Sequence, residues 1–141
     1  MEIIILGTSS MIPTKDRNHP SFLIYHTKES LLFDCGEGTQ RQMKIAGVDI
    51  NRITRIFITH WHGDHMLGLP GLIQTMAAQN YDKTLNIYGP KGSKKHFEHL
   101  LKSFDFDLRI KLEVHDVSEG VIFSNTDYKI ETAQMKHAVP T

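Results

Sequence analysis

Three histidines and one aspartate lie within six consecutive positions, 60–65, in the run His-Trp-His-Gly-Asp-His. This run follows a strand-like segment at 55–59 and precedes a helix start, Gly-Leu-Pro-Gly, at 68–71. Neutral imidazole is a common ligand of zinc, and a carboxylate adds negative charge to such a site. A polar loop that only caps the next helix is the alternative, but it does not require so many metal-binding side chains. The run therefore predicts a metal site at the end of a buried strand.

The spacing within the run divides its side chains between two ions. In an extended turn, residues two apart point to the same side, so His60 and His62 can bind one ion together. Asp64 and His65, at the start of the next helix, can then point to a neighbouring ion. Gly63 allows the tight backbone that such a turn needs. Each ion needs further ligands, and these must come from elsewhere in the fold.

Length and composition predict one globular domain over residues 1–141. The chain carries 16 basic and 16 acidic residues and is 40% hydrophobic, as ordinary globular proteins are. Its net charge of zero gives no overall attraction to nucleic acid, although a local basic surface is compatible with it. No apolar run reaches the roughly 18 residues of a membrane span, so we expect no membrane partner. The single cysteine, Cys35, excludes an intramolecular disulfide and favours a cytoplasmic location.

Short strand-like runs alternate with helical ones along the chain. Strands are predicted over 2–6, 21–26, 31–34, 55–59 and 85–88, and helices over 39–46, 68–79 and 93–104. From Ile110 onward, the apolar residues recur with a period of two, which predicts a meander of antiparallel strands that includes 133–139. A sheet covered by outward-facing helices places the chain in the α/β (α+β) class.

Several further motifs stand at strand ends and in loops. They are Leu-Gly-Thr-Ser-Ser at 6–10, Pro-Thr-Lys-Asp-Arg-Asn at 13–18, Asp-Cys-Gly-Glu-Gly-Thr-Gln at 34–40, Tyr-Gly-Pro-Lys-Gly at 88–92 and His-Ala-Val-Pro at 137–140. The His-x-His-x-Asp-His run is similar to the metal motif of the metallo-β-lactamase superfamily, and alone it indicates nothing narrower. When the motifs at 13–18 and 34–40 are considered together with this run, the sequence resembles ribonuclease Z over essentially its whole length.

This resemblance implies a fold and a ligand set. The fold would be the four-layered αββα sandwich, of which the chain supplies about the N-terminal half. His60, His62 and His137 would bind the first of two zinc ions, and Asp64 and His65 would bind the second. A bridging aspartate, a further histidine ligand and a histidine that protonates the leaving oxygen would all lie beyond residue 141.

The resemblance also implies an activity, namely a zinc-dependent endoribonuclease that removes the 3′ trailer from precursor tRNA. Two zinc ions lower the pKa of a shared water, and Asp64 would be the catalytic residue that accepts the proton from that water. Lys15, Arg17 and Asn18 would contact phosphates of the RNA, because such groups position RNA without reading its sequence. A merely solvated loop is the alternative interpretation of these three residues.

Other interpretations stay open at this point. Asp34 either orients a metal-bound imidazole or accepts hydrogen bonds from backbone donors of the glycine-rich turn that follows it. The apolar stripe of Leu69, Leu72 and Met76 is either core or a dimer surface, and the resemblance to ribonuclease Z implies that the full-length protein is a homodimer. The chain itself is either a nuclease or an incomplete, non-catalytic half with an exposed apolar sheet face. A small-molecule hydrolase on the same fold is the third possibility.

Overall fold

Six strands form one large mixed sheet, and two more form a separate hairpin. The computed structural model describes residues 1–141. The strands are β1 (Glu2–Gly7), β2 (Ser21–His26), β3 (Glu29–Phe33), β4 (Ile53–Phe57), β5 (Thr84–Pro90), β6 (Lys111–Val117), β7 (Gly120–Ser124) and β8 (Lys129–Thr132). The order in the large sheet is β1-β2-β3-β4-β5-β6, and β7 pairs with β8.

Four helices connect the strands of the large sheet. They are α1 (Thr39–Ile45), α2 (Gly63–Met66), α3 (Leu69–Ala78) and α4 (Ser93–Leu101). A 3₁₀ turn at Ile50–Arg52 leads into β4. This strand is displaced by two residues towards the N-terminus from the strand predicted over 55–59. None of these helices combines the length and the apolar character that crossing a membrane requires.

Strand direction follows from the length of each connection. β1 pairs with β2, and β2 with β3, in the antiparallel direction, and a two-residue turn, Thr27-Lys28, joins β2 to β3. From β3 to β6 every pairing is parallel, because helices cross over between consecutive strands. The carboxyl ends of β3, β4, β5 and β6 therefore meet at one edge of the sheet, where binding sites form in such folds.

The helices α1, α3 and α4 pack against one face of the large sheet and form the core with it. On the sheet side this core contains Leu6, Leu23, Leu32, Ile56 and Ile87. Leu69, Leu72 and Met76 of α3 are each 0% exposed. The predicted apolar stripe is therefore core and not a dimer surface.

An aromatic row crosses the opposite face of the large sheet. The ring centroids of neighbours in this row are 4.6–5.1 Å apart, and its members are Phe22, Phe33, Phe57, Tyr88 and His115. The β7–β8 hairpin packs on part of this face through Ile122 and Ile130. On β1, beyond the hairpin, Ile3 and Ile5 are 54% and 60% exposed, so the expected apolar sheet surface is present.

The prediction of an antiparallel meander after Ile110 is wrong for two segments. β6 pairs in parallel with β5, and residues 133–139 form no strand. Alternation reports which side chains face a core, and it does not specify the partner strand or its direction. In the last segment, the hydroxyl of Thr141 bonds to the backbone of Met135 at both the N–H and the carbonyl, which closes a loop instead.

Candidate metal centre

The histidine-rich run follows β4 at the carboxyl edge of the parallel strands. The turn after β3 and the helix α2 are tied together by their backbones, since Cys35 N–H donates to the carbonyl of His65 at 2.7 Å and Gly68 N–H donates to that of Cys35 at 2.8 Å. A Cβ added at Gly36 would lie 2.2 Å from the carbonyl oxygen of Asp64. Only glycine permits this approach, and it fixes the position of Asp64 and His65 in α2.

The three predicted ligands of the first ion converge, although His137 is 75 residues further along the chain than His62. One nitrogen from each of His60, His62 and His137 lies within 4.8 Å of the other two. The Nε2 of His60 is 3.1 Å from the Nδ1 of His62. Two nitrogens bound to one tetrahedral zinc ion are about 3.3 Å apart. The donor set therefore fits a zinc ion.

Burial prepares His60 to bind a metal. His60 is 7% exposed. This burial is the main cause that lowers the pKa of His60, and the neighbouring His65, His137 and His62 lower it further. The neutral imidazole is the form that binds a cation. The Nδ1 of His60 lies 3.0 Å from the hydroxyl of Thr59, which leaves Nε2 directed at the other histidines.

The two predicted ligands of the second ion lie next to the first set. The Nε2 of His65 is 3.5 Å from a carboxylate oxygen of Asp64, and the ring centroids of His60 and His65 are 4.1 Å apart. The side chain of Asp64 is 9% exposed, and that of His65 is 19% exposed. A carboxylate and an imidazole in contact could hold a second cation, with other ligands needed to complete its coordination.

Asp34 connects β3 to this set of ligands. Its Oδ2 lies 2.7 Å from the Nδ1 of His65, and its Oδ1 accepts a hydrogen bond from the backbone N–H of Thr59 at 2.8 Å. The hydrogen bond to Asp34 raises the pKa of His65. Of the two interpretations left open by the sequence, this geometry favours the one in which Asp34 orients an imidazole. Asp34 adopts φ 54°, a left-handed conformation that aspartate tolerates better than most residues.

Sequence reasoning missed Thr59. Its hydroxyl lies 2.9 Å from Asp34 Oδ2 and 3.0 Å from His60 Nδ1, so it links the two side chains. The only signal for it is its position between the end of a strand and the first histidine, which is too weak to identify it.

The predicted RNA-contacting loop lies beside the same turn. The side-chain amide of Asn18 donates to the carbonyl of Glu37 at 2.7 Å, so this side chain fastens the loop. Lys15 and Arg17 are exposed and form no salt bridge. Two free cations on a fastened loop could bind phosphate.

Several other residues near the metal centre and on the sheet have structural roles. Cys35 is 0% exposed, and burial raises the pKa of its thiol, as for a packed residue. The Nε2 of His115 lies 2.8 Å from the side-chain oxygen of Asn86. Trp61 donates its indole N–H to the hydroxyl of Ser93 at 2.6 Å, which fixes α4 beside the histidine-rich run. The exposed ring of His96 stacks on Trp61.

A mixed sheet with helices on one face and a His-x-His-x-Asp-His loop at its carboxyl edge defines a protein of the metallo-β-lactamase fold. The short form of human tRNase Z matches with a TM-score of 0.89 and 29% identity, over 99% of this chain and 61% of that structure. YhfI from Bacillus subtilis, a metallo-β-lactamase fold protein, matches with a TM-score of 0.79 at 18% identity, over 98% and 54%. The predicted fold class is confirmed.

The chain belongs to the family described as Anti-Pycsar protein Apyc1, whose family model matches residues 1–140. It is also similar to the Ribonuclease Z of Methanothermobacter thermautotrophicus, at 47% identity over 139 residues, and to that of Pyrococcus furiosus, at 45% over 140 residues. The alignments cover 99% of this chain but only 45% and 46% of these relatives. The chain thus spans about half the length of the curated relatives it matches, and the predicted resemblance to ribonuclease Z is confirmed.

Proposed function

We propose that this chain carries the first metal-binding half of a zinc-dependent endoribonuclease that removes the 3′ trailer from precursor tRNA. The observation that carries the proposal is that His137, from a distant part of the chain, meets His60 and His62, with one nitrogen of each within 4.8 Å of the others. The similarity to ribonuclease Z supports precursor tRNA as the substrate. A cytoplasmic location, which the single cysteine favours, and a homodimer of the full-length protein, which the resemblance implies, belong to the same proposal.

The proposed roles of the side chains follow from their positions. His60, His62 and His137 hold the first zinc ion, and Asp64 with His65 contributes to a second. When bound, zinc lowers the pKa of a water molecule and stabilises negative charge on the attacked phosphate.

The residues of this chain then accept a proton, hold the ring of a metal ligand and bind the RNA. Asp64 accepts the proton of the attacking water while the water oxygen bonds to phosphorus. Asp34 holds the ring of His65, and Lys15 and Arg17 bind backbone phosphates of the RNA. The bond from phosphorus to O3′ breaks and leaves a 3′-hydroxyl on the tRNA. The proton for O3′ comes from a donor outside residues 1–141.

The test is zinc content per chain, measured together with cleavage of a precursor tRNA. We expect the purified chain to bind zinc, and His62→Ala to lower the bound zinc by at least half. The matched control is His99→Ala, because His99 is exposed on α4 and belongs to no metal-ligand cluster. A wild-type chain that binds no zinc at neutral pH would contradict the proposal.

Cleavage distinguishes the remaining alternatives. Zinc binding with cleavage at the 3′ end of the tRNA body supports a competent nuclease. Zinc binding without cleavage supports the incomplete half, which needs a further chain segment or a partner. The family description, Anti-Pycsar protein Apyc1, names no nuclease activity, so a small-molecule hydrolase on this fold stays a second candidate. Hydrolysis of a small phosphodiester, bis(p-nitrophenyl) phosphate, with intact precursor tRNA would favour that candidate.

A further inference from the structure

His137 reaches the metal centre through the β7–β8 hairpin. β8 ends at Thr132, five residues before His137. Ile130 and Thr132 line one cavity of about 590 Å³ together with Phe33, which is the last residue of β3. Tyr128, before β8, contacts Glu29 at the opposite end of β3. β8 therefore runs along β3 towards the carboxyl edge where the other ligands lie.

The segment that carries His137 has little support of its own. Residues 133–141 form no strand, and His137 is exposed. The hydrogen bonds within this segment join Met135 to Thr141 and Val139 to His137, so they do not attach it to the large sheet. Its position consequently depends on the hairpin that precedes it, and an isolated two-stranded hairpin is marginally stable.

One side chain makes all the hydrogen bonds between residues 118–141 and the rest of the chain. The hydroxyl of Tyr128 donates to Oε1 of Glu29, and it lies 3.5 Å from Nη1 of Arg55. No backbone hydrogen bond and no salt bridge joins residues 118–141 to the large sheet. The other contacts of the hairpin with this face are apolar or aromatic.

Glu29 is well prepared to accept this hydrogen bond. Its Oε2 accepts from the hydroxyl of Thr54 and from Nη1 of Arg55, both at 2.5 Å. Burial alone would raise the pKa of Glu29, but the hydrogen bonds from Thr54 and Tyr128, together with Arg55, lower it overall. The carboxylate is thus ionised at neutral pH. Burial, and then the neighbouring Glu29, raise the pKa of Tyr128, which stays a donor.

Arg55 extends this cluster to the other strand of the hairpin. Its guanidinium carbon lies 3.7 Å from the centre of the Phe123 ring on β7. We call Tyr128, Glu29, Thr54 and Arg55 the Tyr128 anchor. The anchor combines a charge-assisted hydrogen bond with a cation–π contact, both of which are directional. Apolar packing alone would let the hairpin shift along the sheet, whereas directional contacts set its register.

We propose that Tyr128 is a positioning residue, which fixes the β7–β8 hairpin on the sheet so that His137 meets His60 and His62. This inference rests on the proposed zinc site. The Tyr128 anchor lies at the start of β3, and the metal centre lies at its carboxyl end. Because β8 runs between them, the position of Tyr128 determines where the segment that carries His137 begins.

The test is the zinc affinity of Tyr128→Phe, measured by competition with a chromophoric chelator. This variant removes only the hydroxyl. We expect apparent affinity to fall about tenfold, which corresponds to one molecule in ten holding His137 in place. The matched control is Tyr81→Phe, since the hydroxyl of Tyr81 donates to the carbonyl of Ile53 at 2.7 Å, away from the hairpin. We expect this control to lower the stability of the fold and to leave zinc affinity within twofold.

A double-mutant cycle separates positioning from general damage. In the background of His137→Ala, Tyr128→Phe should have no further effect on zinc affinity, because the residue that it positions is gone. Amide hydrogen exchange over 133–141 should accelerate in Tyr128→Phe and not in Tyr81→Phe. Glu29→Gln removes the charge from the other partner and should lower zinc affinity in the same direction.

The outcomes distinguish this inference from the proposed function. If the wild-type chain binds no zinc, the proposed function fails first. If the wild type binds zinc and His137→Ala weakens binding, but Tyr128→Phe stays within twofold of wild type, the anchor is overturned and the zinc site stands. Equal losses from Tyr128→Phe in the presence and absence of His137 would also overturn the inference.

Discussion

The two parts of the candidate metal centre are supported in different ways. His60 is 7% exposed and belongs to a loop that is bonded to the turn after β3 and packed on the core. His137 is exposed and belongs to a segment whose hydrogen bonds lie within itself. The first part is built into the sheet and α2, and the second is brought to it by a hairpin. The same imidazole chemistry thus depends on core packing in one region and on a few directional contacts in the other.

The largest effect should come from disturbing the turn after β3, which supports the loop that carries His60. In Gly36→Ala the new Cβ would lie 2.2 Å from the carbonyl oxygen of Asp64 and 2.4 Å from the Cβ of His19, neither of which can move freely. We expect the free energy of unfolding to fall by about 3 kcal/mol, as for overpacking in a rigid environment. Urea denaturation measures it.

The matched control is Gly71→Ala, where the new Cβ meets only the end of the flexible Gln40 side chain. Because Gly71 lies inside α3, alanine should be neutral or should stabilise the helix by up to about 1 kcal/mol. Similar losses in both variants would mean that the turn at Gly36 is not a rigid part of the site.

The second prediction concerns Asp34, which orients His65 from the built-in side. Asn fits the left-handed backbone at this position, but it removes the charge that faces His65 Nδ1. We expect Asp34→Asn to weaken zinc binding by about 10–100-fold, as loss of a partner behind a metal ligand does. The same chelator competition measures it. In the control, Glu37→Gln changes a carboxylate three residues away whose side chain is 74% exposed, and affinity should not change.

The third prediction uses pH to weaken the contact between Glu29 and the hairpin that precedes His137, in protein without metal. The pKa of Glu29 is lowered in the folded chain, so its contribution to stability is present above the unfolded value near 4.5 and is lost as pH falls through the folded value. Glu29→Gln should therefore show a smaller loss of stability than wild type between pH 7 and pH 3. Arg55, Tyr128 and His26 face this carboxyl group or its partner and are present in both proteins.

Urea denaturation across this pH range measures the difference. Identical pH profiles for wild type and Glu29→Gln would show that the Glu29 carboxylate does not stabilise the fold. The expected difference is smaller than the effects above, since one hydrogen-bonded carboxylate near the surface is involved.

The smallest effect should come from the last loop. Thr141→Val removes the hydroxyl that bonds to both backbone groups of Met135 and keeps the side-chain shape. Because these groups are exposed, we expect at most about 0.5 kcal/mol in stability and no more than a twofold change in zinc affinity. A larger change in affinity would show that this loop, in addition to the Tyr128 anchor, determines the position of His137.

The sequence predicts the two regions with unequal success for the same physical reason. The spacing of His60, His62, Asp64 and His65 is local, and the structure brings these residues together as the spacing indicates. His137 could be connected to them only through a resemblance, because nothing in its neighbours indicates how the chain returns. Tyr128 and Glu29 are 99 residues apart, and neither stands in a recognisable motif.

The fold shows the same limit. Helices α1, α3 and α4 follow from the spacing of apolar residues, which reports the face that each helix buries. The strand pattern of β6 was equally clear, but its parallel pairing with β5 depends on the crossover through α4 and not on the strand itself.

The strands of the large sheet stand in the same order as in the chain, so each pairs with its immediate predecessor. Each new strand can therefore pair with a strand that is already in place, which lets the sheet grow one strand at a time as synthesis proceeds. The loop at 60–65 would then be in place before the β7–β8 hairpin at 120–132 has been synthesised. His137 would join this loop only after the hairpin docks on the large sheet, which delays tight zinc binding until that hairpin is in place.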